Sequence, residues 1–133
     1  MREGIELVRQ FHNKVHNGVY SDDVRFLYRT LVREEAEEVR EAALSCDLEI
    51  DMGGASVPAK AALLEESADL VIVMVGQLLA HGIDPSLLEE AVRRKSVANL
   101  TKFDDKGNPI LRDDGKVMKG PNYTPAVMDD LFQ

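Results

Sequence analysis

Two pairs of acidic side chains are spaced so that they could share a divalent cation. Glu35 and Glu38 are three residues apart, and so are Glu66 and Asp69, and residues at this spacing project from one face of a helix. An unpaired buried carboxylate is costly, so clustered carboxylates need protons, cationic partners or a metal ion. Mg²⁺ takes oxygen ligands and keeps waters that a phosphate can replace. Because neither pair contains Cys or His, zinc is disfavoured.

The first pair lies where a helical wheel predicts apolar side chains. At ~100° per residue, Glu35 and Glu38 fall in the same arc as the apolar residues Val24, Leu27, Tyr28, Leu31, Ala42 and Cys46. Glu34 lies at the edge of this arc. Glu37 falls outside it, where a surface ion pair with a neighbouring arginine is the simpler interpretation. The wheel therefore predicts that Glu35 and Glu38 face inward.

The second pair lies on a helix that should be buried on most sides, since that helix is nearly uncharged after Asp69. Glu66 and Asp69 share a face with Ala62, Val73, Gly76 and Ala80. The small residues on this face would let a neighbouring helix approach closely. Two antiparallel helices would then bring both acidic pairs into one pocket.

Four helices and an irregular tail are predicted to carry these residues. Periodicity and capping signals place the helices at about 3–16, 21–47, 59–80 and 84–102, with a loop over 48–58. Turn residues dominate after position 102, where Ile110-Leu111 and Val117-Met118 could pair as a small hairpin. A chain of 133 residues suits a single domain, so we expect one all-α domain over 1–133, with a helical core over 1–102 and a tail over 103–133.

Composition excludes several classes of protein. A net charge of −8 argues against nucleic acid as a partner, and an anionic ligand would need a bridging cation. The most apolar stretch, 70–80, is too short for a bilayer, which needs roughly 20 residues, so no membrane partner is expected. Cys46 is the only cysteine, and the N-terminus lacks a signal-like apolar run. We therefore expect a reducing compartment, the cytoplasm.

Basic and amide side chains on the fourth helix are candidates for substrate binding. Lys95, Asn99 and Lys102 continue its apolar face, where lysine offers a point charge for phosphate and asparagine offers a donor and an acceptor. The alternative is that the lysines only extend along the edge of the helix. His12 and His16 have the i, i+4 spacing of metal ligands, but without a matching acidic or Cys motif they are better explained by packing.

The motif Glu34-Glu35-Ala36-Glu37-Glu38, followed by Glu66-Ser67-Ala68-Asp69, resembles the E-E-x-x-E … E-x-x-D signature of the all-α NTP pyrophosphohydrolase superfamily. That group includes MazG-like proteins, dimeric dUTPases and phosphoribosyl-ATP pyrophosphohydrolases. The resemblance extends to Phe11-His12 and to 99–102. It implies a four-helix MazG-like arrangement completed by assembly into a homodimer or homotetramer, and an apolar flank on four helices of this size indicates the same.

The resemblance also implies roles for individual residues and a cofactor, Mg²⁺, for which Mn²⁺ could substitute. The expected metal ligands are Glu35, Glu38, Glu66 and Asp69, the expected catalytic residues are Glu34 and Glu35, and the expected substrate contacts are His12, Lys95, Asn99 and Lys102.

The predicted activity is hydrolysis of a nucleoside triphosphate, (d)NTP + H₂O to (d)NMP + pyrophosphate, in house-cleaning or control of a nucleotide pool. One alternative is the phosphoribosyl-ATP pyrophosphohydrolase of histidine biosynthesis, which no residue excludes. A second alternative is a non-catalytic helical module that binds a metal or a partner, although such a module would be free to lose the acidic motifs.

Overall fold

A computed structural model describes residues 2–133, which form four α-helices and two short 3₁₀ turns. The helices are α1 (Arg2–His16), α2 (Asp22–Asp51), α3 (Val57–Ala80) and α4 (Leu88–Asn99), and the 3₁₀ turns are Pro85–Leu87 and Asp129–Phe132. No strand occurs among these residues, which confirms the all-α prediction. No helix in this range is long and apolar enough to cross a membrane.

The chain divides into two compact units, Met1–Pro85 with α1 to α3, and Ser86–Gln133 with α4 and the tail. The single-domain organisation stays a prediction.

The connection between α2 and α3 is shorter than predicted. The prediction that α2 ends near position 47 is wrong, because the helix continues to Asp51. Residues 48–51 contain no helix breaker, and the chain turns only at Gly53 and Gly54, whose φ angles are +127° and +147°. Ser56 then caps α3 by accepting a hydrogen bond from the backbone N–H of Ala59 at 3.2 Å.

Helices α2 and α3 pack against each other in antiparallel directions. Near the start of α2, the ring of Tyr28 lies against Gly76 close to the end of α3. Near the end of α2, the Cys46 thiol donates a hydrogen bond to the carbonyl of Ala59 at 3.2 Å, at the start of α3. The midpoints of the two helices, which carry the acidic pairs, therefore lie opposite each other, as predicted.

The second unit consists of a short helix and a tail held against it. The prediction of one helix over 84–102 is wrong at both ends, since Pro85–Leu87 is a 3₁₀ turn and α4 ends at Asn99. Thr101 explains the early end: its hydroxyl donates to the carbonyl of Ala98 at 2.7 Å and accepts from the N–H of Thr124 at 2.8 Å. A side chain from the end of the helix is thus bound by the tail.

The tail contains the predicted hairpin in a minimal form. Leu111 and Val117 form one antiparallel bridge, and the N–H of Met118 donates to the carbonyl of Ile110 at 2.7 Å. Further along, Arg94 of α4 binds the carboxylate of Asp130 with two hydrogen bonds, at 2.6 and 3.0 Å. The tail is therefore tied to α4 by specific polar contacts.

Candidate metal centre and active site

Three carboxylates from facing helices converge at the middle of the first unit. Oxygen atoms of Glu35 and Glu38 on α2 and of Glu66 on α3 all lie within 4.8 Å of one another. The i, i+3 spacing places the first two on one face of α2, and the antiparallel packing sets Glu66 opposite them. This spread of oxygen atoms could close around one divalent cation.

Two oxygen atoms of the cluster lack a partner. Glu35 Oε2 and Glu66 Oε2 are buried and have no hydrogen bond within the described part of the chain. Buried carboxylate oxygens without a donor or cation are unfavourable, so both atoms favour the binding of a cation at the cluster. Glu38 differs from the wheel prediction, because its side chain is exposed whereas Glu35 and Glu66 are half-buried. The cluster is therefore open to solvent on the side of Glu38.

Burial and mutual repulsion raise the pKa of Glu35 and the pKa of Glu66. In both cases burial is the largest cause, followed by the contact with the Glu38 carboxyl and by its negative charge. Asp69 is not among the three closest carboxylates, but its charge also raises both pKa values. A divalent cation would favour the ionised forms instead, so the electrostatics fit a metal centre.

The remaining glutamates of the motif lie outside this cluster. Glu34, which the wheel places at the edge of the apolar arc, is exposed. Glu37 forms a surface ion pair with Arg40 at 3.2 Å, one turn along the helix. The motif thus combines cluster residues with an ordinary solvated pair.

A family model described as phosphoribosyl-ATP pyrophosphohydrolase matches residues 5–96, more than half of the chain. The chain belongs to this pyrophosphohydrolase family. The family is part of the MazG-like all-α NTP pyrophosphohydrolase superfamily, and its members are metal-dependent hydrolases of phosphoric anhydrides. The protein is therefore an enzyme, and the alternative of a non-catalytic module is wrong. No curated protein matches the chain.

Both acidic motifs of this pyrophosphohydrolase lie inside the matched residues, whereas Asn99 and Lys102 lie beyond them. Lys95 and Asn99 are exposed on α4, and Lys102 is half-buried three residues after the helix ends. The prediction that all three continue one helical face is therefore wrong, because the helix is too short. All three belong to the unit Ser86–Gln133, and the carboxylates belong to the other unit.

His12 of the pyrophosphohydrolase is buried and bound on both sides. Only 2% of the residue is exposed. Its Nε2 contacts the carbonyl of Ile72 at 2.7 Å, and its Nδ1 contacts the hydroxyl of Tyr28 at 2.5 Å. A hydrogen bond from His12 to a substrate would have to replace one of these contacts. His16 also contacts the Tyr28 hydroxyl, through its Nε2 at 2.9 Å.

Sequence reasoning missed Tyr28 as a polar partner and treated it only as an apolar residue. A signal was present, since a buried tyrosine hydroxyl needs a hydrogen-bond partner and two histidines precede it on the neighbouring helix. The sequence alone did not say which of the polar groups on α1 would reach it.

Proposed function

We propose that this pyrophosphohydrolase uses Mg²⁺, with Mn²⁺ as a substitute, to hydrolyse nucleoside triphosphates to monophosphate and pyrophosphate. The observation that carries the proposal is the pair of buried, partnerless oxygens, Glu35 Oε2 and Glu66 Oε2, within a cluster of three carboxylates. Hard divalent cations bind such oxygens. A nucleotide that carries its own negative charge needs this cation to approach an acidic protein.

The cation would be held by Glu35, Glu38 and Glu66, with Asp69 as the fourth acidic residue. When bound, it neutralises phosphate charge and orients the leaving pyrophosphate. The side chains move the proton: a water that attacks the α-phosphorus transfers its proton to Glu35 or to Glu34. One P–O bond forms, the α–β anhydride bond breaks, and pyrophosphate leaves with the bonding electron pair.

Substrate contacts are proposed for His12 and for three residues of the second unit, Lys95, Asn99 and Lys102. The lysines would bind phosphate oxygens, and Asn99 could read a base through its amide.

A second candidate substrate is phosphoribosyl-ATP, because the matching family model carries the name of the enzyme that hydrolyses it. It would place the protein in histidine biosynthesis instead of house-cleaning or pool control. The bond that breaks is the same kind of anhydride, so the carboxylate cluster serves both substrates equally.

Assembly into a homodimer or homotetramer is part of the proposal. Leu7, Phe11 and Val15 form a stripe along α1 at i, i+4 and i+8, and they are 59%, 57% and 55% exposed. An apolar stripe of this kind is typical of a surface that another chain covers. We also propose a cytoplasmic location, since Cys46 is a free thiol.

Pyrophosphate release from a panel of substrates tests the proposal. The panel contains canonical and modified nucleoside triphosphates and phosphoribosyl-ATP, each with Mg²⁺, with Mn²⁺ and with EDTA. Glu38→Gln should lose metal-dependent release, and Glu37→Gln should keep it, because Glu37 pairs with Arg40 outside the cluster. Preference for phosphoribosyl-ATP would select the second candidate. Release that persists in EDTA would contradict the metal-dependent mechanism.

A further inference from the structure

A series of hydrogen bonds crosses all three helices of the first unit and involves none of the proposed metal ligands. His16 Nε2 on α1 contacts the hydroxyl of Tyr28 on α2 at 2.9 Å. That hydroxyl contacts His12 Nδ1 at 2.5 Å, and His12 Nε2 contacts the carbonyl of Ile72 on α3 at 2.7 Å. This series of hydrogen bonds therefore links α1 to α2, α2 back to α1, and α1 to α3.

The donor and the acceptor of every hydrogen bond in the series follow from its last group, the carbonyl of Ile72. A carbonyl only accepts, so His12 Nε2 must carry a proton and donate to Ile72. In neutral His12 the other nitrogen, Nδ1, then has a lone pair and accepts from the Tyr28 hydroxyl. The Tyr28 oxygen in turn accepts from His16 Nε2–H. Tyr28 is the one member whose single atom must both donate and accept, and phenylalanine could do neither.

Close packing buries two members of this series, His12 and Tyr28. His12 is 2% exposed and Tyr28 is 3% exposed. Both rings lie against the backbone of Gly76, where an added Cβ would come within 2.7 Å of His12 Cε1 and of Tyr28 Cζ. Hydrogen bonds in such a buried setting are directional and costly to break. They therefore hold the helices in one register more strictly than apolar contacts can.

The register of α2 against α3 decides the geometry of the carboxylate cluster. Tyr28 lies seven residues before Glu35 on α2, which is about 10 Å along the helix. Ile72 lies six residues after Glu66 on α3, again about 9 Å. A slip of one helical turn moves a residue by about 5.4 Å. The three carboxylates lie within 4.8 Å of one another, so such a slip would separate them.

We propose that Tyr28 is a positioning residue for the metal centre: its hydroxyl, bound between His12 and His16, sets the distance of Glu35 and Glu38 from Glu66. This inference rests on the proposed function in one respect, namely that the carboxylate cluster binds a divalent cation. Tyr28 is not among the carboxylates that could hold the cation, so its role would be exerted through the helices that carry them.

Magnesium affinity of the full chain, measured by isothermal titration calorimetry, tests the inference. Tyr28→Phe removes only the hydroxyl and keeps the ring against Gly76. Removal of a group that orients metal ligands typically weakens metal binding by about 10–100-fold, and we expect about 10-fold. In kinetic assays the Mg²⁺ concentration for half-maximal rate should rise, while kcat at saturating Mg²⁺ stays near that of the wild type.

Tyr20→Phe is the matched control. It removes the same atom from a tyrosine whose hydroxyl donates to the Asn13 side chain at 2.7 Å and does not bridge α2 to α3. Its Mg²⁺ affinity should equal that of the wild type. If Tyr28→Phe does not fold, His16→Leu replaces it, because His16 is only half-buried and its loss leaves the Tyr28–His12 contact in place. We expect His16→Leu to weaken Mg²⁺ binding by about 3-fold. This is less than the effect expected for Tyr28→Phe, because the hydrogen bond between Tyr28 and His12 remains.

The outcomes separate the inference from the proposed function. Equal Mg²⁺ affinity in Tyr28→Phe and Tyr20→Phe, with binding lost in Glu38→Gln, overturns the positioning role and leaves the metal centre intact. Equal affinity in His16→Leu and the wild type overturns it likewise. A folded wild-type protein that binds no Mg²⁺ overturns the proposed function and the inference together.

Discussion

Removing the negative charge of Glu38 tests the carboxylate cluster both without and with a bound cation. Without metal, the Glu38 carboxyl raises the pKa of Glu35 and of Glu66 by contact and by repulsion. A glutamine amide has no charge and can donate to the partnerless oxygens of both neighbours. Glu38→Gln should therefore make the metal-free protein more stable at pH 7. With metal, the same change removes a proposed ligand and should weaken Mg²⁺ binding.

The size of the effect with metal follows from linkage. At a Mg²⁺ concentration about 100 times Kd, binding stabilises the folded wild type by about 2.7 kcal/mol. Loss of an orienting group weakens metal binding by up to about 100-fold, and we expect at least this for a direct ligand. At the same Mg²⁺ concentration the variant would then gain only about 0.4 kcal/mol. For a chain of this length, Tm changes by roughly 4 °C per kcal/mol. Mg²⁺ should therefore raise the Tm of the wild type by about 10 °C and that of Glu38→Gln by about 2 °C.

Differential scanning calorimetry of the wild type, Glu38→Gln and Glu37→Gln, each in EDTA and in Mg²⁺, measures both effects. Glu37→Gln makes the same change of charge at a residue that pairs with Arg40 on the surface. It should leave the Mg²⁺-induced rise in Tm unchanged. An equal response of the two variants to Mg²⁺ would contradict a role for Glu38 in metal binding, and a lower Tm of metal-free Glu38→Gln would contradict the repulsion within the cluster.

Three further predictions concern packing, pH and the tail. Gly76→Ala should destabilise the protein by about 1–3 kcal/mol in urea unfolding, because its new Cβ overlaps the His12 ring; an unchanged midpoint would contradict the close packing. Burial lowers the pKa of His12 below its ordinary 6.5, so the unfolded chain binds a proton at His12 more readily than the folded chain does. The contribution of neutral His12 to the stability of the folded protein is complete above pH 6.5 and is lost as the pH falls below that value. The stability difference between wild type and His12→Gln should therefore shrink from pH 7.5 to 5.5, and a constant difference would argue against it. Arg94→Met removes both hydrogen bonds to Asp130, so hydrogen exchange over 124–133 should become faster, and unchanged exchange would show that other contacts hold the tail.

The carboxylate cluster was predictable because its main determinant is local. Helical periodicity decides that Glu35 and Glu38 share one face of α2, whatever the rest of the chain does. The spacing of Glu66 and Asp69 follows the same rule, and small residues such as Gly76 predicted the close approach of a second helix. Exposure was less predictable: a wheel places Glu38 in the apolar arc, but only the packing of neighbouring helices leaves it open to solvent.

Helix ends depended on interactions that the sequence does not display locally. The end of α4 at Asn99 reflects the binding of Thr101 by Thr124, a residue 23 positions further along the chain. The end of α2 at Asp51 reflects the position of Gly53 and not the first weakly helical residue after Cys46.

The helical class, the two acidic pairs and the family could be predicted from the amino-acid sequence, because each depends on residue types at short, fixed spacings. The packing of the helices places the Tyr28 hydroxyl between His12 and His16, and it leaves Glu35 Oε2 and Glu66 Oε2 without a hydrogen-bond partner among the described residues. A buried polar atom forms hydrogen bonds with whichever groups the packed helices bring within about 3 Å, and the positions of several helices together decide which groups those are.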